Sequence, residues 1–171
     1  MDFVLHNRFL TVGFSQKGGS LCSIKDNEGT EYLWQGDANY WSGQAPVLFP
    51  ICGSLRKNQA QIGGNQLTEM PRHGIVRKQN FICREQKQES ILFSIESNPE
   101  MEKQFPYPFR LDICYTLSDN QIITEYIVHN CGKQEMPFQI GGHPGFNCPL
   151  FAGENYTDYQ LVFEKEETCT V

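Results

Sequence analysis

Apolar residues in this chain fall in short runs rich in Val, Ile, Phe, Tyr and Thr, set apart by clusters of Gly, Asn, Asp and Pro. Such runs read as β-strands, because branched and aromatic side chains suit a pleated surface. The pattern predicts strands over residues 9–14, 21–25, 31–34, 75–83, 91–97, 109–117, 121–130, 138–140 and 159–164. Turn signals separate them at Lys17-Gly18-Gly19, Asp26-Asn27-Glu28-Gly29, Gly63-Gly64-Asn65, Ser118-Asp119-Asn120 and Cys131-Gly132-Lys133. One short helix is expected within residues 98–104, where Asn98 stands as a cap before Pro99. No other window keeps a helical apolar repeat going for three turns. The expected class is therefore all-β, an antiparallel β-sandwich or barrel. The last predicted strand, 159–164, runs into a charged stretch and risks leaving an unpaired edge.

At 171 residues the chain fits one domain with a real core. Its net charge is -6 and its positive residues are scattered, which argues against nucleic acid as a partner. No apolar stretch approaches the roughly 20 residues of a membrane span. The start of the chain lacks the charged, then apolar, pattern of a signal peptide. Seven widely spaced cysteines with no C-x-x-C do not resemble a disulfide framework. They read as reduced thiols of a cytosolic protein, mostly buried as small apolar residues.

The candidate chemistry centres on Gly141-Gly142-His143-Pro144-Gly145-Phe146-Asn147. The two glycines let a ligand approach the backbone, and Pro144 keeps His143 out of the helical region. An imidazole held this way suits proton transfer near neutral pH. Taken alone, such a histidine is most often a turn residue without chemistry. A second constrained histidine, in Pro71-Arg72-His73-Gly74, makes a convergent pair the stronger reading. Cys148 is the one cysteine close enough in sequence to His143 to act as a nucleophile, a minor alternative. Among the aromatics, Phe146 is a candidate wall for a ligand, whereas Trp34 and Trp41 read as structural.

Four segments then follow in order: Val47-Leu48-Phe49-Pro50-Ile51-Cys52-Gly53 leading to Arg56, Met70-Pro71-Arg72-His73-Gly74-Ile75-Val76-Arg77, Phe105-Pro106-Tyr107-Pro108-Phe109, and Gly141-Gly142-His143-Pro144-Gly145-Phe146. This ordered set resembles the aldose 1-epimerase (mutarotase) family, in particular its shorter bacterial galactose-mutarotase-related branch. The resemblance is sharpest between Pro46 and Asn147. It implies a β-supersandwich over residues 1–171, incomplete on its C-terminal side, that holds a hexose in an open cleft. It also implies interconversion of α and β anomers by acid/base ring opening, with no metal or organic cofactor. A base takes the C1 hydroxyl proton while an acid protonates the ring oxygen. At the matching positions His143 stands for the general acid, His73 for the second histidine at the same oxygen, and Arg56 for a substrate-binding arginine.

The family's general base, a glutamate in the C-terminal part of a longer chain, has no counterpart here, nor does a sugar-binding aspartate. Glu69, Glu125, Glu135 and Glu154 lie outside any matching motif. The resemblance therefore implies a strongly reduced rate for these residues alone. A non-catalytic carbohydrate-binding protein of the same fold is the alternative. A hexose 6-phosphate substrate is another, since Arg72 and Arg77 flank His73. A metal enzyme is disfavoured because no H-x-H occurs, although two histidines and a distant carboxylate can meet around Zn²⁺.

Overall fold

The computed structural model describes residues 1–62, 64, 66–166 and 168. Strands β1 (Phe3–His6), β2 (Leu10–Ser15) and β3 (Ser20–Asp26) form one antiparallel sheet in the order β1-β2-β3. Four longer strands, β7 (Ile82–Gln86), β8 (Ser90–Glu96), β9 (Phe109–Ser118) and β10 (Gln121–Asn130), form a second sheet in the order β10-β9-β8-β7. Between them in sequence come the two-residue β4 (Val47–Leu48) and the hairpin of β5 (Gln59–Ile62) and β6 (Gln66–Glu69). The short β11 (Gly141–Gly142) returns to pair with β4. The architecture is the expected all-β arrangement of antiparallel sheets.

The two larger sheets meet through their apolar faces. Phe14 of β2 packs 4.9 Å from Tyr115 of β9 and 6.1 Å from Phe93 of β8. The Tyr115 hydroxyl, carried into that interior, donates to the carbonyl of Gly19 at 2.9 Å. That bond answers the polar end of an otherwise apolar side chain. A neighbouring aromatic cluster forms around buried Phe49, with Phe109 at 4.9 Å, Phe138 at 5.6 Å and Phe105 at 6.0 Å. The Phe105–Phe109 turn therefore packs into the core. Helix α1 (Pro99–Gln104) sits where expected, with the Asn98 side chain accepting from the backbone of Glu100 and Met101, each at 3.0 Å.

Several segments differ from the sequence pattern, each for a physical reason. Residues 75–83 are strand only from Ile82, because Val76–Lys78 forms a 3-10 turn. Ile75 and Val76 are both buried, and consecutive strand residues point to opposite faces, so the chain must turn to bury both. Residues 31–34 make only isolated bridges, Lys25 with Glu31 and Leu33 with Phe146. Residues 138–140 form no strand of their own, and the pairing begins at Gly141. Residues 159–164 pair with nothing among the described residues, leaving Leu161 87% and Val162 81% exposed. The β5–β6 hairpin has too polar a sequence to announce itself, and two residues of its Gly63-Gly64-Asn65 turn lie outside the described residues. The cysteines are less buried than expected. Cys22, Cys83 and Cys114 are half-buried, Cys52, Cys131 and Cys148 are exposed, all six are free, and Cys169 lies outside the described residues.

Gly74 is the tightest of the described glycines. It has φ +77°, and a β-carbon there would lie 2.0 Å from the carbonyl oxygen of Phe49. Replacing Gly74 with Ala combines a left-handed backbone with a direct clash. Urea unfolding of Gly74→Ala should show a loss of at least about 3 kcal/mol. A loss below about 1 kcal/mol would mean that this contact is not tight.

Candidate functional site

Val47, Leu48 and Phe49 lie extended with a neighbour along each edge. On one edge Gly141 and Gly142 pair antiparallel with Leu48 and Val47. Bonds from Gln139 N to Pro50 O (2.9 Å) and from His143 N to Pro46 O (3.1 Å) extend that contact. On the other edge Gly74 bridges to Phe49 in parallel, and Ile75 N donates to Phe49 O at 2.9 Å. A bend at Gly53 (φ +82°) brings its carbonyl to His73 N at 2.7 Å. Two histidine segments distant in sequence thus flank one short strand. The imidazoles of His73 and His143 meet edge to face, with ring centroids 5.5 Å apart and planes at 69°.

His73 is the more constrained of the two. It is half-buried and has φ +66°, held in a turn closed by Gly74 N donating to Pro71 O at 2.9 Å. The backbone N–H of Gly53 donates to His73 Nδ1 at 3.1 Å, and Arg72 Nε lies 3.0 Å from Nε2. A neutral imidazole has a single acceptor nitrogen. The Gly53 donor is fixed by the backbone, whereas the Arg72 side chain is exposed and long enough to move. We therefore assign the proton to Nε2. Burial, then the charges of Arg72, His143 and Arg77, holds the His73 pKa below the ordinary 6.5. His73 is thus a neutral imidazole, its Nδ1 occupied by the Gly53 N–H.

His143 is exposed, and its ring nitrogens have no hydrogen-bond partner among the described residues. The Trp41 indole stands 5.1 Å from its ring. The glycines before it have particular neighbours. A β-carbon on Gly142 would meet the Tyr126 hydroxyl at 3.0 Å, and one on Gly141 would meet Cys52 Sγ at 3.2 Å. Close packing against β10 and the Cys52 bend thus calls for the two glycines, besides any room they leave for a ligand. Gln139 Oε1 accepts from Cys52 N at 3.1 Å and ties that bend to the His143 segment.

The other predicted site residues are not drawn into the pair. Arg56 opens the 3-10 turn Arg56–Asn58, three residues past Gly53. It is exposed and has no bond to either imidazole. Phe146, 63% exposed, borders a cavity of about 680 Å³ with Phe9, Leu10, Ile24, Tyr32 and Ile122, a space that neither histidine lines. Arg77 faces a different cavity, beside Lys17 and Lys78, which Trp41 also lines. Cys148 is exposed and makes no bond to His143. Among the described residues no carboxylate is hydrogen-bonded or ion-paired to His73 or His143, and no three His, Cys, Asp or Glu side chains gather as a metal-ligand set. The sequence reading missed Trp41, Cys52, Tyr126 and Gln139 as neighbours of the pair. The one available signal was the inward phase of β10, which includes Tyr126.

Comparison with known proteins gives a consistent picture. A family profile described as aldose 1-epimerase matches residues 1–171. The plasmid-encoded protein LacX of Lactococcus lactis subsp. lactis is 47% identical over 176 residues, covering 100% of this chain and 59% of LacX. The structure superposes on a galactose mutarotase related enzyme from Lactobacillus acidophilus with a TM-score of 0.87 and 34% identity, covering 91% of this chain and 52% of that one. For a galactose mutarotase-like protein from Lactobacillus casei the TM-score is 0.83 and the identity 31%, covering 88% of this chain and 51% of that one. The chain thus spans little more than half the length of the relatives it matches.

The His73 assignment sets a direction for acid titration. Below the ordinary 6.5 the unfolded chain takes up a proton before the native protein does. Its contribution to stability is therefore complete above 6.5 and lost as pH falls through the lowered native value. Histidine-resolved NMR should find Nε2–H on His73 at neutral pH and a midpoint below 6.5. An Nδ1–H tautomer, or a midpoint above 6.5, contradicts the assignment.

Proposed function

The chain belongs to the aldose 1-epimerase family, and we propose that its two facing imidazoles form a binding site for an aldohexose. The observation that carries this reading is the 5.5 Å approach of the His73 and His143 rings, with no hydrogen bond to either nitrogen of His143 among the described residues. A pyranose offers a ring oxygen that accepts and, next to it, an anomeric hydroxyl that both donates and accepts. His73 Nε2–H can donate to either oxygen once the exposed Arg72 side chain turns aside. His143 can donate with one nitrogen and accept with the other. Two rings at this spacing can reach the same oxygen region from two sides.

Anomer exchange asks for more than binding. The ring C–O bond breaks as the ring oxygen takes a proton, while the C1 hydroxyl gives one up. His143 is suited to supply the first proton. The second needs a base, and the described residues present no carboxylate to the pair. The reading for these 171 residues is therefore a carbohydrate-binding chain without turnover of its own. Family membership favours a second reading, an aldose 1-epimerase in which His143 is the acid and a carboxylate outside the described residues is the base.

Titrating the chain with a panel of aldohexoses should give saturable binding of at least one. Exchange spectroscopy on the ¹³C-labelled anomers should then show no acceleration over the uncatalysed rate. Enzyme-like exchange would overturn the binding-only reading, and the absence of any binding would overturn the site. In a chain of the relatives' full length, His143→Ala should slow exchange by at least about a hundredfold while changing hexose affinity much less.

A further inference from the structure

We infer that Trp41 is the aromatic platform on which the apolar face of the bound pyranose rests. This rests on the aldose-binding reading and adds the surface that orients the sugar against the imidazoles. Trp41 lies at the end of a turn in which its N–H donates to Asp37 O at 2.8 Å. Its carbonyl accepts from the Trp34 indole N–H at 2.7 Å, so the backbone beneath the ring is pinned at two points. The indole lies close to two bare stretches of backbone. A β-carbon on Gly43 would stand 2.6 Å from its six-membered ring, and one on Gly145 would stand 2.8 Å from it. The ring fits where it does only because both positions lack a side chain.

Trp41 is half-buried, and its ring stands 5.1 Å from exposed His143 at an interplanar angle of 49°. Trp34 is half-buried as well, but its ring packs edge-on against Tyr40 at 6.3 Å and not against an imidazole. A pyranose has a rim of oxygens and a face of C–H groups. The imidazoles can bond to the rim, and among the described residues Trp41 is the aromatic ring packed beside them that can meet the C–H face. Aromatic walls with a few convergent polar groups are the usual make-up of small-ligand sites. The Gly145 that follows His143 and Pro144 thus has a task of its own, which is to let the indole come close to the histidine's segment.

The test uses the chain grown with 5-fluorotryptophan, which places one ¹⁹F label in each of its two tryptophans. Trp41→Phe assigns the signals. During titration with D-galactose and D-glucose, the imidazoles of His73 and His143 are followed in parallel. The Trp41 signal should move saturably with the same midpoint as the imidazoles and further than that of Trp34. Trp41→Leu should weaken binding on the order of tenfold, and Trp41→Phe by less than about threefold. A silent Trp41 signal while the imidazoles titrate overturns the platform and leaves the binding site standing. So does Trp41→Leu that melts like wild type and binds as tightly. If Trp41→Leu does not fold, the ¹⁹F signal and Trp41→Phe decide. Imidazoles that respond to no aldose overturn the site, and the platform with it.

Discussion

The arrangement depends on one short extended stretch, Val47-Leu48-Phe49, with a partner on each side. Both histidine segments are hydrogen-bonded to it and to the residues at its ends. The stretch is itself anchored by Phe49, whose side chain is buried among Phe105, Phe109 and Phe138. The aromatic core therefore positions the surface site. A strand bonded on both edges has little freedom to shift without breaking bonds on one of them. Gly74 is the close fit that lets the second edge form, since its missing β-carbon leaves room for the Phe49 carbonyl. Closely packed cores transmit such constraints with little slack.

The same frame gives the two imidazoles different characters. His73 is set into a turn, its Nδ1 is occupied by Gly53 N–H, and its surroundings favour the neutral form. It is a fixed donor. His143 stands in the open, with no hydrogen bond to its nitrogens among the described residues and an indole beside it. Two identical side chains are thus given unlike surroundings by their backbone contacts, burial and neighbouring side chains.

Much of this was legible in the sequence where a local rule and the tertiary structure agree. Strand β10 runs over the residues expected, and β8 and β9 lie within a residue of expectation, because each is long, rich in branched and aromatic residues and bounded by turns. The Asn98 cap and the paired histidines were visible for similarly local reasons. What escaped depended on neighbours. Residues 75–83 carry strand-like composition but must bury two successive side chains, so they turn. Residues 159–164 are strand-like in sequence and have no partner among the described residues, and a strand without a partner has nowhere to place its backbone hydrogen bonds. Trp41 read as structural because composition alone does not say which ring remains half-open beside a histidine. Phe146 shares the motif that carries His143, and its backbone bridge to Leu33 and its exposed ring place it along a cavity that neither histidine lines.

The central claim is that His73 and His143 face one ligand. The most direct measurement is a crystal structure of the chain with an aldohexose bound. The account predicts sugar oxygens within about 3.2 Å of both Nε2 of His73 and a ring nitrogen of His143 in the same complex. A sugar seated in the cavity beside Phe146, or bonded to one imidazole while the other points away, would contradict it.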